Sequence, residues 1–144
     1  MIKIADISNL KELVDLALKL WDNHTYDELE KSMKEVLENK NAIIYLYYIE
    51  NKAIAFAYCQ LRFDYVEGTN SSPVGYLEGI LVDKNYRKSK IAKSLLKECE
   101  IWVKEKGCTE LASDCQINNI QSQIFHEKVG FTEANRIICF TKKL

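Results

Sequence analysis

The chain has 144 residues, 47% of them apolar and 28% charged, with a net charge of −1. That size and balance predict a single folded domain over 1–144 and exclude a disordered or fibrous chain. The near-zero net charge offers no global attraction to nucleic acid or to an anionic membrane, so any cationic function must be local.

Ile2–Ala5 reads as a short first strand. Asp6 or Ser8 then caps a helix whose apolar face is Leu10, Leu13, Val14, Ala17, Leu20 and Trp21, at helical spacing. A second, more acidic helix is expected over Thr25–Asn39, with Leu29, Met33, Val36 and Leu37 inward. Asn41–Glu50 and Lys52–Val66 read as antiparallel strands joined tightly at Glu50-Asn51. A polar loop, Glu67–Pro73, leads to a strand over Gly75–Val82. Ser89–Lys106 is a helix with Ile91, Ala92, Leu95, Leu96, Cys99, Trp102 and Val103 facing inward, ended by Gly107. A short strand at Glu110–Ser113, a helix at Asn118–Lys128 and one or two final strands within Phe131–Lys143 complete the chain. This order predicts an α/β fold, a mixed and mostly antiparallel sheet with helices on both faces.

No apolar run approaches the roughly 18 residues of a membrane span, and no leader-like pattern is seen, so a cytoplasmic protein is expected. Cys59, Cys99, Cys108, Cys115 and Cys139 lack CxxC spacing and read as reduced, mostly buried thiols. There are two histidines, neither near a cysteine pair, and no metal site is expected.

The stretch Tyr86–Ala92 is the most informative. A buried strand runs into a short basic loop that opens directly into a helix, where free backbone N–H groups and the positive end of the dipole suit phosphate. Arg87, Lys88, Lys90 and Lys93 add cationic side chains. The loop suits a pyrophosphate; a solvated basic turn is the plainer reading.

Arg87-Lys-Ser-Lys90-Ile-Ala92 resembles the Arg/Gln-x-x-Gly-x-Gly/Ala loop of the GCN5-related N-acetyltransferases, with Lys90 where glycine is usual. Asn119, His126 and Gly130-Phe131 are similar to that superfamily's downstream pattern. Four further segments resemble the aminoglycoside 6′-N-acetyltransferases, in order and spacing: Leu20–His24, Phe63–Pro73, Tyr76–Ile80 and Ala112–Asp114. The resemblance covers nearly the whole chain. It implies a direct acetyl transfer from acetyl-CoA to the 6′-amine of an aminoglycoside, antibiotic resistance as the phenotype, and a homodimer. Two other readings remain open: an acetyltransferase of a polyamine or protein amine, and a non-catalytic CoA-binding domain.

On the donor side the resemblance places pantetheine along the backbone of Ile80, Leu81 and Val82, with the Leu81 N–H polarising the thioester carbonyl. Lys88, Ser89, Lys90, Ile91, Ala92 and Lys93, with Arg87, form the pyrophosphate cradle, and Asn119 either bonds the pantetheine amide or caps its helix. Lysine at position 90 is expected to pay a steric cost if the loop needs a positive φ there. On the acceptor side, Glu78 and Asp114 would hold the ammonium and take its proton, directly or through water. Glu78 also interrupts an otherwise apolar strand, and an unpaired buried carboxylate is costly. Trp21, His24 and Tyr65 match substrate contacts, although by pattern alone Trp21 reads first as a core residue, whereas Tyr65, before the polar loop, reads first as a contact. His126 would protonate the departing thiolate, or simply pack. Asn135 stands where an acidic residue usually binds the drug, with Glu133 near enough in sequence to compensate.

Overall fold

A computed structural model of the chain describes every residue except Lys88. Five strands form one sheet in the order β1 to β5: β1 (Ile2–Ile4), β2 (Ala42–Ile49), β3 (Lys52–Arg62), β4 (Val74–Val82) and β5 (Leu111–Ser113). The first three pairings are antiparallel and β4–β5 is parallel. Four helices, α1 (Leu10–Leu20), α2 (Tyr26–Glu38), α3 (Ile91–Glu105) and α4 (Ile120–Lys128), complete it. The mixed sheet, mostly antiparallel and layered by helices, is the architecture expected from the sequence.

Side-chain alternation divides the core in two. Ala55, Ala57 and Cys59 of β3 face Leu95, Leu96, Cys99 and Trp102 of α3. Phe56 of the same strand faces Leu13, Val14 and Ala17 of α1 and Leu29 and Met33 of α2. Local chemistry sets the ends of the elements. Thr25 caps α2 by accepting the Glu28 N–H, and Asn119 caps α4 by accepting the Ser122 N–H at 3.1 Å. Glu50 and Asn51 take positive φ (47° and 65°), which lets two residues turn β2 into β3.

Two features of β4 shape the site. Its register against β3 slips so that Tyr58 faces Gly79 while Cys59 faces Leu77, leaving Glu78 as the extra residue of a bulge. Its pairing with β5 covers only Gly75–Leu77, so the edge from Glu78 to Val82 has no strand beside it among the described residues.

Several expectations are corrected. β3 stops at Arg62, not Val66, and α3 begins at Ile91, not Ser89. Cys115 and Cys139 are exposed, while Cys59, Cys99 and Cys108 are buried; all five are free thiols. The largest departure is the final segment. Phe131–Leu144 contains no strand among the described residues.

Candidate active site

The unpaired edge of β4 carries the first half of the site. The Asp83 N–H bonds the Ile54 carbonyl at 2.8 Å, and Leu81 stands opposite Phe56. Antiparallel ladders alternate, so the Leu81 N–H and C=O point into β3, while those of Ile80 and Val82 point out of the edge. The Arg87 Nε donates to the Val82 carbonyl at 3.0 Å, which places that group on the open side. The expectation for the Leu81 N–H is therefore corrected: β3 already uses it, and the outward donors are Ile80 and Val82. The Leu81 side chain is buried under α1 and α2.

The edge runs into a 3-10 turn, Lys84–Tyr86, and then into α3. Asp83 anchors the turn by accepting the Asn85 N–H at 3.1 Å and by pairing with Lys19 of α1 at 2.5 Å. The Lys19 ammonium and the Asn85 N–H hold the Asp83 carboxyl below its usual range. Ser89 Oγ donates to the Tyr86 carbonyl at 2.7 Å. Lys90 is the N-cap of α3 and makes no side-chain cap. The N–H groups of Ile91, Ala92 and Lys93 precede the first bond of the helix, Ser94 N–H to the Lys90 carbonyl. They are left for an anion, with the Lys90 and Lys93 ammoniums beside them. Lys90 has φ −84° and ψ 13°, so the expected steric penalty is absent. Lys88 lies outside the described residues.

The second half lies on the face of the sheet beyond α1. The bulge directs Glu78 to the same face as Tyr58, Gln60 and Arg62 of β3. Arg62 holds the Glu78 carboxylate with two bonds, Nε at 2.8 Å and Nη2 at 2.6 Å, and the Gln60 amide donates to it as well. The Arg62 guanidinium also stacks 3.4 Å above the Tyr76 ring, and the Tyr76 hydroxyl donates to Asp114. Burial, with Asp114 beside it, pushes the Tyr76 phenol up. Burial, reinforced by the charge of Glu78, raises Tyr58 to about 12. Both phenols are therefore neutral donors at ordinary pH.

Trp21, at the end of α1, packs on Phe56 with ring centroids 5.9 Å apart. It also roofs Gly79, where an added Cβ would lie 2.7 Å from the indole. Trp21 thus combines the core role with a position beside the bulge that carries Glu78. His24 is exposed and bonds Glu28 at 3.2 Å across the first turn of α2. Tyr65 is 80% exposed on the loop after β3, its hydroxyl bonded to Glu67 at 2.9 Å. Asn135 donates to the other Glu67 oxygen at 3.3 Å, and Glu133 pairs with Arg136 at 2.5 Å. Glu133 is therefore engaged locally.

His126 faces β5 from α4. Its Nδ1 lies 2.7 Å from the Ser122 carbonyl and its Nε2 2.8 Å from Ser113 Oγ. A carbonyl only accepts, so Nδ1 donates to it; Nε2 shares a hydrogen bond with the Ser113 hydroxyl. Phe125 and Phe131 wall the ring, with centroids at 5.5 and 5.1 Å. The structure thus gathers Glu78 and Asp114 through Arg62 and Tyr76, and sets His126 at Ser113, next to Asp114 in the chain. Gln60, Arg62, Tyr76 and Ser113 were missed in the sequence. Their signal was the alternation Tyr58, Gln60, Arg62, which puts three polar side chains on one face of a strand.

Among the described residues, no group of three His, Cys, Asp or Glu side chains is placed to hold a metal. An open strand edge leading to an uncapped helix fits an extended amide chain that ends in a pyrophosphate. Comparison with known proteins gives the same reading. The model of the acetyltransferase (GNAT) family matches residues 10–131. An aminoglycoside N(6′)-acetyltransferase type 1 from Acinetobacter haemolyticus is 39% identical, over 99% of this chain and 98% of its own. The crystal structure of an aminoglycoside antibiotic 6′-N-acetyltransferase from that organism, without ligand, superposes with a TM-score of 0.96 at 38% identity, covering 100% and 99% of the two chains. A further acetyltransferase, solved with the bisubstrate analogue CoA-S-monomethyl-acetylneamine, gives 0.95 at 34% identity, covering 100% and 98%. The chain belongs to the acetyltransferase (GNAT) family, in its aminoglycoside N(6′)-acetyltransferase branch.

Proposed function

We propose that this protein transfers the acetyl group of acetyl-CoA to the 6′-amino group of aminoglycosides, by direct attack of the amine. The observation that carries the reading is the double use of β4. Its open edge at Ile80 and Val82 leads to the uncapped start of α3, while its bulge turns Glu78 onto the polar face. Donor and acceptor sites therefore meet on one strand, which supplies the proximity that a direct transfer needs. The relatives with this fold and name support the choice of acceptor.

Ile80 and Val82 bind the pantetheine amides as an added strand, and an outward N–H of that edge stabilises the developing oxyanion. The N–H groups of Ile91, Ala92 and Lys93, with Lys90, Arg87 and Lys88, hold the pyrophosphate. Ser89 fixes the loop, and Asn119, whose Oδ1 caps α4, offers its amide N–H groups to the cofactor arm. Acetyl-CoA supplies the activated thioester carbonyl. Glu78 and Asp114 hold the substrate ammonium and accept its proton through water. Arg62 orients Glu78 through its two hydrogen bonds. His126 is the residue that returns a proton to the departing thiolate. Trp21, Tyr65, His24 and Asn135 line the sugar-binding side. Acetylation removes one positive charge and thereby weakens the drug's grip on ribosomal RNA.

We read the whole chain as one N-acetyltransferase domain working in the cytoplasm as a homodimer; the five free thiols suit a reducing compartment. A coupled thiol-release assay tests the function. Turnover with kanamycin or tobramycin is expected, against little or none with spermidine or a peptide amine. CoA binding without turnover of any amine would overturn the assignment.

A further inference from the structure

Both ring nitrogens of His126 are already engaged. Nδ1 lies 2.7 Å from the Ser122 carbonyl and Nε2 2.8 Å from Ser113 Oγ. Those two bonds, with Phe125 and Phe131 beside the ring, fix its orientation. Neither nitrogen is left to meet a sulfur directly. Ser113 Oγ in turn lies 3.2 Å from the Leu77 carbonyl. Leu77 opposite Ser113 is the last rung of the β4–β5 ladder, so this hydroxyl stands at the fork where the open edge of β4 begins. That edge is the one assigned to the thioester, and Glu78 and Asp114 are the next residues on the two strands.

We infer that Ser113 is a catalytic residue of the acetyl transfer, the hydroxyl through which the proton of His126 reaches the sulfur of CoA. The hydrogen-bond inventory supports this. A chain of groups runs from the Ser122 carbonyl through His126 and Ser113 to the Leu77 carbonyl, and the carbonyls at its two ends only accept. With His126 charged, both ring nitrogens donate, and Ser113 accepts from Nε2 while donating to Leu77. With His126 neutral, Nδ1 keeps its proton and Nε2 accepts, so the Ser113 hydroxyl turns and donates to the ring. One hydroxyl rotor thus serves both states without movement of ring or backbone. When the tetrahedral adduct collapses, the C–S bond breaks and its electron pair stays on sulfur. The Ser113 hydroxyl turns from Leu77 and gives its proton to that sulfur, while Nε2 gives its own to the Ser113 oxygen. An S–H bond is formed, an Nε2–H bond is lost, and the serine is unchanged. His126 is left neutral and takes its next proton from solvent. This deepens the acetyltransferase reading above and rests on it.

The test measures single-turnover acetylation of kanamycin by the full chain. Ser113→Ala is expected to slow that step at least about tenfold, with Kd for CoA and KM for kanamycin changed less than about twofold. Ser113→Thr, which keeps a hydroxyl, is expected to stay within about threefold of the unmodified rate. Adding Ser113→Ala to His126→Ala is expected to cost less than a further factor of about two, because the serine acts only on a proton that His126 supplies. A Ser113→Ala rate within about twofold of the unmodified one, or losses that multiply in the double variant, would overturn the inference. The unmodified protein gives a check that needs no variant. Rates in mixtures of light and heavy water are expected to follow a curved dependence on deuterium fraction, since two hydrogens move together; a straight line would overturn the relay. Thiol release with kanamycin by the unmodified protein reports separately on the acetyltransferase reading.

Discussion

Glu78 answers two demands that would conflict on a regular strand. A carboxylate inside an apolar strand has to be paired, and a carboxylate that meets a substrate ammonium has to be reachable. The bulge resolves this by turning Glu78 toward Arg62 and Gln60 at the margin of the sheet. Glu78→Gln keeps the shape and removes the charge; kcat/KM for kanamycin is expected to fall at least about tenfold, roughly 1.4 kcal/mol, with CoA affinity unchanged by calorimetry. Gly79→Ala drives a Cβ into the indole of Trp21. It is expected to raise KM for the drug about tenfold, through displacement of Trp21, and to lower stability by about 1–3 kcal/mol in thermal melts. Lys90 departs from the family loop yet sits at φ −84° without strain. Replacing it by glycine therefore relieves nothing and deletes a cation, so KM for acetyl-CoA is expected to rise about threefold. At this scale the sequence was legible where a residue broke a pattern, as Glu78 does. It was silent on Arg62 and Tyr76, whose meeting depends on strand register.

At the scale of elements, local signals were strong. The helical spacing of Leu10–Trp21, that of Leu29, Met33, Val36 and Leu37, and the Glu50-Asn51 turn each gave an element near its observed bounds. The strand expected within Phe131–Lys143 is absent among the described residues, because apolar alternation marks a strand-forming stretch without supplying the neighbour it must pair with. The end of the β4–β5 pairing at Leu77 was likewise hidden. One link between elements makes a pH prediction. The Lys19 ammonium and the Asn85 N–H hold the Asp83 carboxyl below its ordinary value of 3.8. A depressed folded-state value means that the stabilisation is present above the unfolded-state value and is lost as pH falls through the folded one. Thermal melts taken from about pH 6 to about pH 3 are expected to show a Tm loss at the acid end that is smaller in Asp83→Asn, whose Tm is lower near neutrality.

For the whole molecule, the fold was readable because its order of strands and helices, its basic loop and the lone carboxylate in its apolar strand all pointed one way. The division of labour is spatial. One face and edge of β4 serve an anionic, amide-rich donor, the other face a cationic sugar, and α1 and α3 brace them from opposite sides. The most direct measurement of this account is the product formed from kanamycin and acetyl-CoA, identified by mass spectrometry and NMR. A single acetyl group on the 6′-nitrogen, with one equivalent of free CoA thiol released, is the predicted result. No acetylated drug from well-folded protein at saturating acetyl-CoA, or acetylation at another nitrogen, would contradict it.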